Sequence, residues 1–269
     1  MLTATLGGLI KDYRIKKRLS QLEVSLRIGW KDTSRLSKIE QGRVGKPTRE
    51  TAEKIIKALD LNMQEKGELL LMGGYLPTAQ EIKKILKVLV PQVDNWSYPA
   101  YVMDFSWRLL YSNDLNLKVL TLPLSVKDFI EKEYPNVLLF AFLPKEQFPA
   151  EVEKGEDKNH LKPFQIAQIA AFKTETHQFQ NEGWYNKLVQ DLMKFEKFRE
   201  LWSKIDQKDY HKKLYDYEYK KINSVYEGKK RSFEFHIFTA KIIYDPRFQL
   251  VLYFPANKET DRYWEKFKR

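Results

Sequence analysis

The 269-residue sequence contains no cysteine. That excludes a disulfide scaffold, zinc sites built on thiolates, thiolate catalysis and cysteine-ligated iron–sulfur clusters. Histidine is scarce. His160, His177, His211 and His236 stand apart, and no two have the i, i+4 spacing of an HEXXH helix. There is no G-x-S-x-G elbow and no P-loop. Gly7-Gly8 and Gly73-Gly74 are isolated pairs rather than phosphate cradles. Carboxylate pairs such as Glu131 and Glu133 sit among lysines, as on a solvated face. The chain is therefore expected not to be an enzyme, and no metal or cofactor is expected. Long hydrophobic runs are also missing. The longest, Val137–Leu143, is far short of the ~20 residues of a membrane span. The opening MLTATLGGLI lacks a basic n-region, so no signal peptide and no membrane partner are expected. A cytoplasmic protein fits these absences.

Net charge is +11, which points to a polyanionic partner. The charge is uneven. Residues 1–78 hold 15 of the 47 basic and 9 of the 36 acidic side chains, for a net +6. Aromatics are skewed the other way. Only Tyr13, Trp30 and Tyr75 lie in that stretch. The pattern implies a small basic helical module over 1–76, a helical connector over 77–94 and an aromatic-rich domain over 95–269. The join falls at Gly73-Gly74-Tyr75-Leu76-Pro77. In the connector, EIKKILKVLV is expected to end at Pro91.

Leu6, Leu9, Ile10 and Tyr13 mark a first helix that ends in Lys16-Lys17-Arg18. Ser20 and Glu23 form a capping box that opens a second, in which Leu22 and Leu26 share a face. Gly29 ends it. Asp32 is placed to cap a third helix, TSRLSKIEQ, which stops at Gly42. A fourth covers Arg49–Leu59 and a fifth Met63–Met72. Helix, short turn and helix inside a basic bundle is a helix-turn-helix pattern.

The runs SQLEVSLRIGW and SRLSKIEQGRVGKPT, then a helix ending ALDLN, resemble the lambda-repressor-like, xenobiotic-response-element (XRE) family of DNA-binding domains. Ser20-Gln21, Leu36-Ser37, Ile39-Glu40, Gly42 and Pro47 carry the resemblance. The turn before the third helix is one residue longer than in the commonest members. Groove chemistry then points to Thr33, Ser34, Arg35 and Lys38 as base-edge readers, opposite Leu36 and Ile39. Arg43 and Lys46 are candidate phosphate contacts. The resemblance implies that Gln21 holds a phosphate and that Arg14 and Glu40 form a structural pair between helices one and three. Trp30 is expected to pack beneath the turn; contact with DNA is its other reading.

Beyond Ser97 the period changes. SYPAYVMDF and WRLLYSN read as strands about a turn at Phe105-Ser106, and Asn113 or Ser112 caps the helix DLNLKVL. Short helices follow at Lys127–Lys132 and Asn136–Leu143, then a charged surface loop at Glu151–Lys158. Longer helices are expected near Pro163–Gln178, Gly183–Lys194 and Phe195–Lys204. Tyr215, Tyr217 and Tyr219 alternate with charges as a strand. A turn at Glu227-Gly228-Lys229, longer than a two-residue hairpin, leads to a strand near Ser232, and Gln249–Phe254 makes the last. The expected class is an all-α helix-turn-helix bundle followed by an α+β domain, one antiparallel sheet with helices on one face.

That order resembles a PAS-like domain. YPAYVMDFSWRLLYSN, KFEKFRELW and FQLVLYFPA together resemble the MmyB-like ligand-binding family. The resemblance implies an apolar cavity for a lipid-like ligand such as a fatty acid. Tyr101, Trp107, Phe140, Phe142, Tyr217, Phe235 and Tyr253 are candidate walls; Arg108 or His236 would meet a carboxylate. A filled core is the competing reading of the same aromatics. The expectation is a homodimeric regulator that binds double-stranded DNA and senses a small apolar ligand. The alternative is a constitutive DNA-binding protein whose second domain only dimerises or recruits a partner.

Overall fold

The computed structural model describes residues 5–120, 122–142, 158–205, 219–226 and 229–268. They form two units: Met1–Pro77 with Lys241–Arg247, and Thr78–Ala240 with Phe248–Arg269.

The first unit carries α1 (Leu6–Lys16), α2 (Gln21–Ile28), α3 (Ser34–Glu40), α4 (Arg49–Ala58) and α5 (Met63–Met72). Local chemistry sets the starts. The Ser20 hydroxyl accepts from Glu23 N at 3.1 Å, and the Glu23 carboxylate accepts from Ser20 N at 2.7 Å. Asn62 and Glu65 repeat the arrangement at α5, at 2.9 and 3.1 Å. Gly29 ends α2 in the left-handed region at φ +88°, where a side chain is strained. Ile10, Val24, Leu36, Ala52, Ile55, Leu59, Leu69 and Leu70 fill the core. Leu22 and Leu26 do share a face, but it is the exposed one; Val24 and Ser25 turn inward. At Gly7, α1 approaches the end of α3 so closely that a Cβ would lie 2.2 Å from the Ile39 carbonyl oxygen.

The second unit begins with α6 (Ala79–Asp94), capped by Thr78 and Glu81. The helix does not stop at Pro91 but runs through it. A proline forfeits its own N–H and crowds the preceding turn, yet Leu89 and Val93 lie buried on either side of it and hold the last turn in place. With Ile82 and Ile85 they pack α6 against β1 and β2. The expected connector is therefore part of the second unit.

Then come β1 (Ala100–Asp104), β2 (Leu109–Ser112), α7 (Asp114–Val119), α8 (Ser125–Glu133), α9 (Val137–Phe142), α10 (Lys158–Thr176), α11 (Gly183–Leu192), α12 (Glu196–Lys204), β3 (Tyr219–Tyr226), β4 (Lys229–Lys241), β5 (Phe248–Pro255) and α13 (Lys258–Phe267). The strands make one five-stranded sheet in the order β2-β1-β5-β4-β3. Tyr101 pairs with Val251 and Lys220 with Phe235, both antiparallel. One sheet face meets the main core: Met103, Val251, Tyr253, Phe233, Phe235 and Ile237, under α10 to α13. Tyr111 lies on the other face. Its hydroxyl donates to Asp94 of α6 at 2.8 Å. Both sheet faces are thus covered at β1 and β2, where one was expected.

The β1–β2 turn is built around a carboxylate. Asp104 is completely buried and accepts from Ser106 N, the Ser106 hydroxyl, Arg108 N and Arg108 Nε at 2.7–3.1 Å. Trp107, between them, takes φ +65°, an unusual conformation for a bulky residue.

At the C-terminal end, one expectation is corrected and another is described only in part. Strand β3 is described from Tyr219, the last of the alternating tyrosines; Tyr215 and Tyr217 lie outside the described residues, as does most of the expected loop Glu151–Lys158. The ladder to β4 runs on to Tyr226↔Lys229, so only two residues separate the strands. β3 is an edge strand, and its alternate side chains tolerate the lysines that mask its pattern. Helix α13 was not expected. Asn257 caps it by accepting from Thr260 N at 2.7 Å, and Thr260, Trp264 and Phe267 turn inward.

Candidate nucleic-acid interface

Helix α3 has two sides. Leu36 and Ile39 anchor it in the core, while Ser34, Arg35 and Lys38 are exposed and Thr33 is half-buried. Three of the four expected readers, Ser34, Arg35 and Lys38, therefore share the solvent side of one helix, while Thr33 is its N-cap. The Asp32 carboxylate accepts from Ser34 N at 2.7 Å. Hydrogen bonds from the Ser34 backbone and hydroxyl hold the Asp32 carboxyl below its ordinary range. Asp32 thus fixes the start of α3 from outside, and the helix opens one residue later than the sequence suggests.

The far end of α3 is fixed by Glu40. Its carboxylate is buried, with only 1% of the side chain exposed. Arg14 meets it at two points, Nε–Oε1 at 2.6 Å and Nη2–Oε2 at 2.9 Å. Gln21 Nε2 donates to the same Oε2 at 2.8 Å. Three helices therefore converge on one carboxylate. Hydrogen bonding to Glu40 raises the Arg14 pKa above its ordinary value. Gln21, expected at a phosphate, spends one amide N–H on Glu40. Its backbone N–H lies in the first turn of α2.

Arg43 and Lys46 are exposed just past α3. The Lys46 ammonium lies 4.6 Å from the centre of the Tyr75 ring, whose hydroxyl donates to the Pro47 carbonyl at 2.5 Å. Two features escaped the sequence. The Arg35 guanidinium lies over the Trp30 ring, 4.8 Å from its centre. Arg35 Nη2 also reaches the Thr51 hydroxyl on α4 at 3.5 Å. No local pattern links residues 30, 35 and 51; only contacts made in the folded domain do.

In the second unit, most expected cavity walls pack on other rings. Phe142 meets Phe198 at 5.1 Å between centres, Trp107 meets Phe172 at 5.5 Å, and Phe235 meets Tyr253 at 5.7 Å. Tyr101 lies 6.4 Å from Tyr253. Trp107 Nε1 donates to Glu175 at 2.9 Å. Arg108 and His236 are placed differently from their expected role. Arg108 Nε is bonded to Asp104, inside its own turn. His236 alternates with Phe235 along β4 and so points to the opposite face of the sheet. The Phe140 side chain and Tyr217 lie outside the described residues.

This sheet face also carries a polar group that no sequence pattern marks. Lys220 Nζ lies 3.4 Å from the Tyr253 hydroxyl. Burial lowers the amine to about 8, from an ordinary 10.5. Burial also pushes the Tyr253 hydroxyl well up, with Tyr101 adding to it. Gln168 Oε1 on α10 and Gln249 Oε1 on β5 are buried without a hydrogen-bond partner among the described residues.

Among the described residues there is no group of three metal-ligating side chains, and no helix is long and apolar enough to cross a membrane. No curated protein matches the chain. Residues 10–66, from within α1 to within α5, match the family model for helix-turn-helix domains, and this stretch of the chain is a helix-turn-helix domain.

Proposed function

We propose that this chain is a sequence-specific transcription regulator of the XRE type, which binds double-stranded DNA as a homodimer. One observation carries the reading: α3 presents Ser34, Arg35 and Lys38 to solvent from a helix anchored by Leu36, Ile39 and the Glu40 carboxylate. Rigid support of an exposed polar edge is what major-groove reading needs. Arg43 and Lys46 supply phosphate contacts and Gln21 a further one. Two such modules on a palindrome gain affinity through effective concentration. Selection of duplexes from a random pool tests this. Recovery of a palindromic consensus supports the proposal; recovery of unchanged random sequence overturns it.

The second unit is proposed to be a PAS-like domain that takes a small, mostly apolar acid such as a fatty acid. Its strand order supports the fold: two strands, helices, then three strands, with β1 beside β5. Lys220 beside Tyr253 supplies a cationic anchor within an aromatic face, and Gln168 and Gln249 offer unsatisfied polar atoms. A ligand with unequal affinity for two dimer arrangements would shift operator affinity. The ring-to-ring packing of Phe142, Trp107 and Phe235 favours the second reading, a filled domain that dimerises. Native mass spectrometry with saturated C8–C18 fatty acids separates them. A bound acid supports the sensor, and none supports the dimerisation module.

A further inference from the structure

Arg35 and Trp30 make a contact whose geometry has a use at a base edge. Trp30 is a fixed platform. Its backbone N–H bonds to the Ser25 carbonyl at 2.8 Å, directly after the left-handed Gly29, and its ring is half-buried against the core of the first unit. The Arg35 guanidinium lies over that ring, 4.8 Å from its centre, on the exposed side of α3. A guanidinium that stacks on an aromatic ring does so through its planar face. Guanine is read by the edge of that plane, through two parallel N–H bonds to O6 and N7. The two uses do not compete. On the edge, Nη2 makes one long bond to the Thr51 hydroxyl, at 3.5 Å. Thr51 is itself held by its neighbour Thr48, whose hydroxyl donates to it at 3.0 Å. The ring contact and the threonine together restrict the fork. A free arginine side chain would lose that freedom only on binding.

We infer that Trp30 is a specificity-determining positioning residue: it holds Arg35 in place so that the guanidinium's remaining N–H edge reads a guanine. This rests on the DNA-binding reading above. The rival is that the indole only completes the packing beneath the turn.

The test uses the full-length chain and a duplex that the wild type selects from a random pool. Trp30→Phe keeps an aromatic face; Trp30→Leu keeps apolar bulk without one. Both are first checked for a native far-UV spectrum and an unfolding transition. Trp30→Leu is expected to lose roughly tenfold in affinity for the selected duplex, within the range of one bidentate base contact. Its preference should relax at one guanine position. Its affinity for random duplex, and the slope of log Kd against log salt, should stay at the wild-type values, because phosphate contacts are untouched. Trp30→Phe should retain most of the discrimination. If both variants discriminate alike, or both lose affinity equally on selected and random duplex, the assignment is overturned. Should the wild type select no sequence at all, the DNA-binding reading falls first and this assignment with it.

Discussion

Arg14 and Glu40 meet at two points, 2.6 and 2.9 Å apart, and join the first helix of the domain to the end of the third. Gln21 adds a bond from the second helix. The pair is nearly dry: 12% of the Arg14 side chain and 1% of the Glu40 side chain are exposed. Removing one partner leaves a buried charge uncompensated, which costs about 3–5 kcal/mol. Glu40→Ala is expected to destabilise the first unit by that amount, read by hydrogen exchange of α1–α3 peptides. Glu40→Gln, which keeps shape and one acceptor, should lose less. A loss under about 0.5 kcal/mol for Glu40→Ala, the size of an ordinary surface substitution, would show that the pair does not hold the helices.

Gly7 sets two physical effects against each other. Alanine in a helix is worth about 1 kcal/mol over glycine. Here the added Cβ would meet backbone, 2.2 Å from the Ile39 oxygen and 2.9 Å from the Glu40 oxygen. Backbone cannot swing aside, so the clash is expected to win. Gly7→Ala should destabilise by about 1–3 kcal/mol, the usual cost of overpacking. Gly8→Ala, whose Cβ would meet only the Thr5 hydroxyl at 3.2 Å, should change stability little. Equal thermal shifts for the two variants would contradict the close approach of α1 to α3.

The local chemistry of these helices was open to reading. Ser20-x-x-Glu23 identifies a capping box because both partners lie within one turn. Asn62-x-x-Glu65 and Thr78-x-x-Glu81 carry the same signal. Periodicity places Leu22 and Leu26 on one face of α2, but which face meets the core depends on helices distant in sequence. Gln21 on Glu40, and Arg35 on Trp30, are contacts of the same kind. In the second unit, Thr260, Trp264 and Phe267 sit at steps of four and three behind an Asn257 cap, so α13 was legible. The two-residue β3–β4 hairpin was not, because lysines on an edge strand hide its alternation.

Glu65 gives the first unit an acid limit. Its carboxylate accepts from Lys16 Nζ at 2.8 Å and from Asn62 N at 3.1 Å. The Lys16 bond is the main cause that lowers its pKa to about 2, with the Asn62 and Lys17 contacts adding. A depressed carboxyl contributes stability that is whole above about 4.5 and is lost as pH falls toward 2. Exchange protection of α5 should fall across that window in the wild type and change less in Glu65→Gln. Identical pH profiles would contradict the assignment.

Lys220 is also shifted down, but by burial of its charged form rather than by pairing. The unfolded chain holds this proton up to about 10.5, and the folded chain releases it near 8. Where the unfolded state binds more protons, stability rises with pH. The second unit should therefore strengthen between pH 8 and 10, read by tryptophan fluorescence in urea; five of the six tryptophans lie there. Lys220→Met should flatten the rise. A fall in the wild-type midpoint over this range would contradict a buried amine on β3.

The central claim is that the solvent side of α3 reads DNA. Fluorescence anisotropy with the double variant Arg35→Ala/Lys38→Ala tests it most directly, on a duplex selected by the wild type and on a random duplex of equal length. Loss of the two readers should weaken selected-duplex binding by 10-fold or more, since one good base contact is worth about 1–3 kcal/mol. Random-duplex binding should weaken far less, through the lost charge alone. An unchanged ratio of the two affinities would contradict the account.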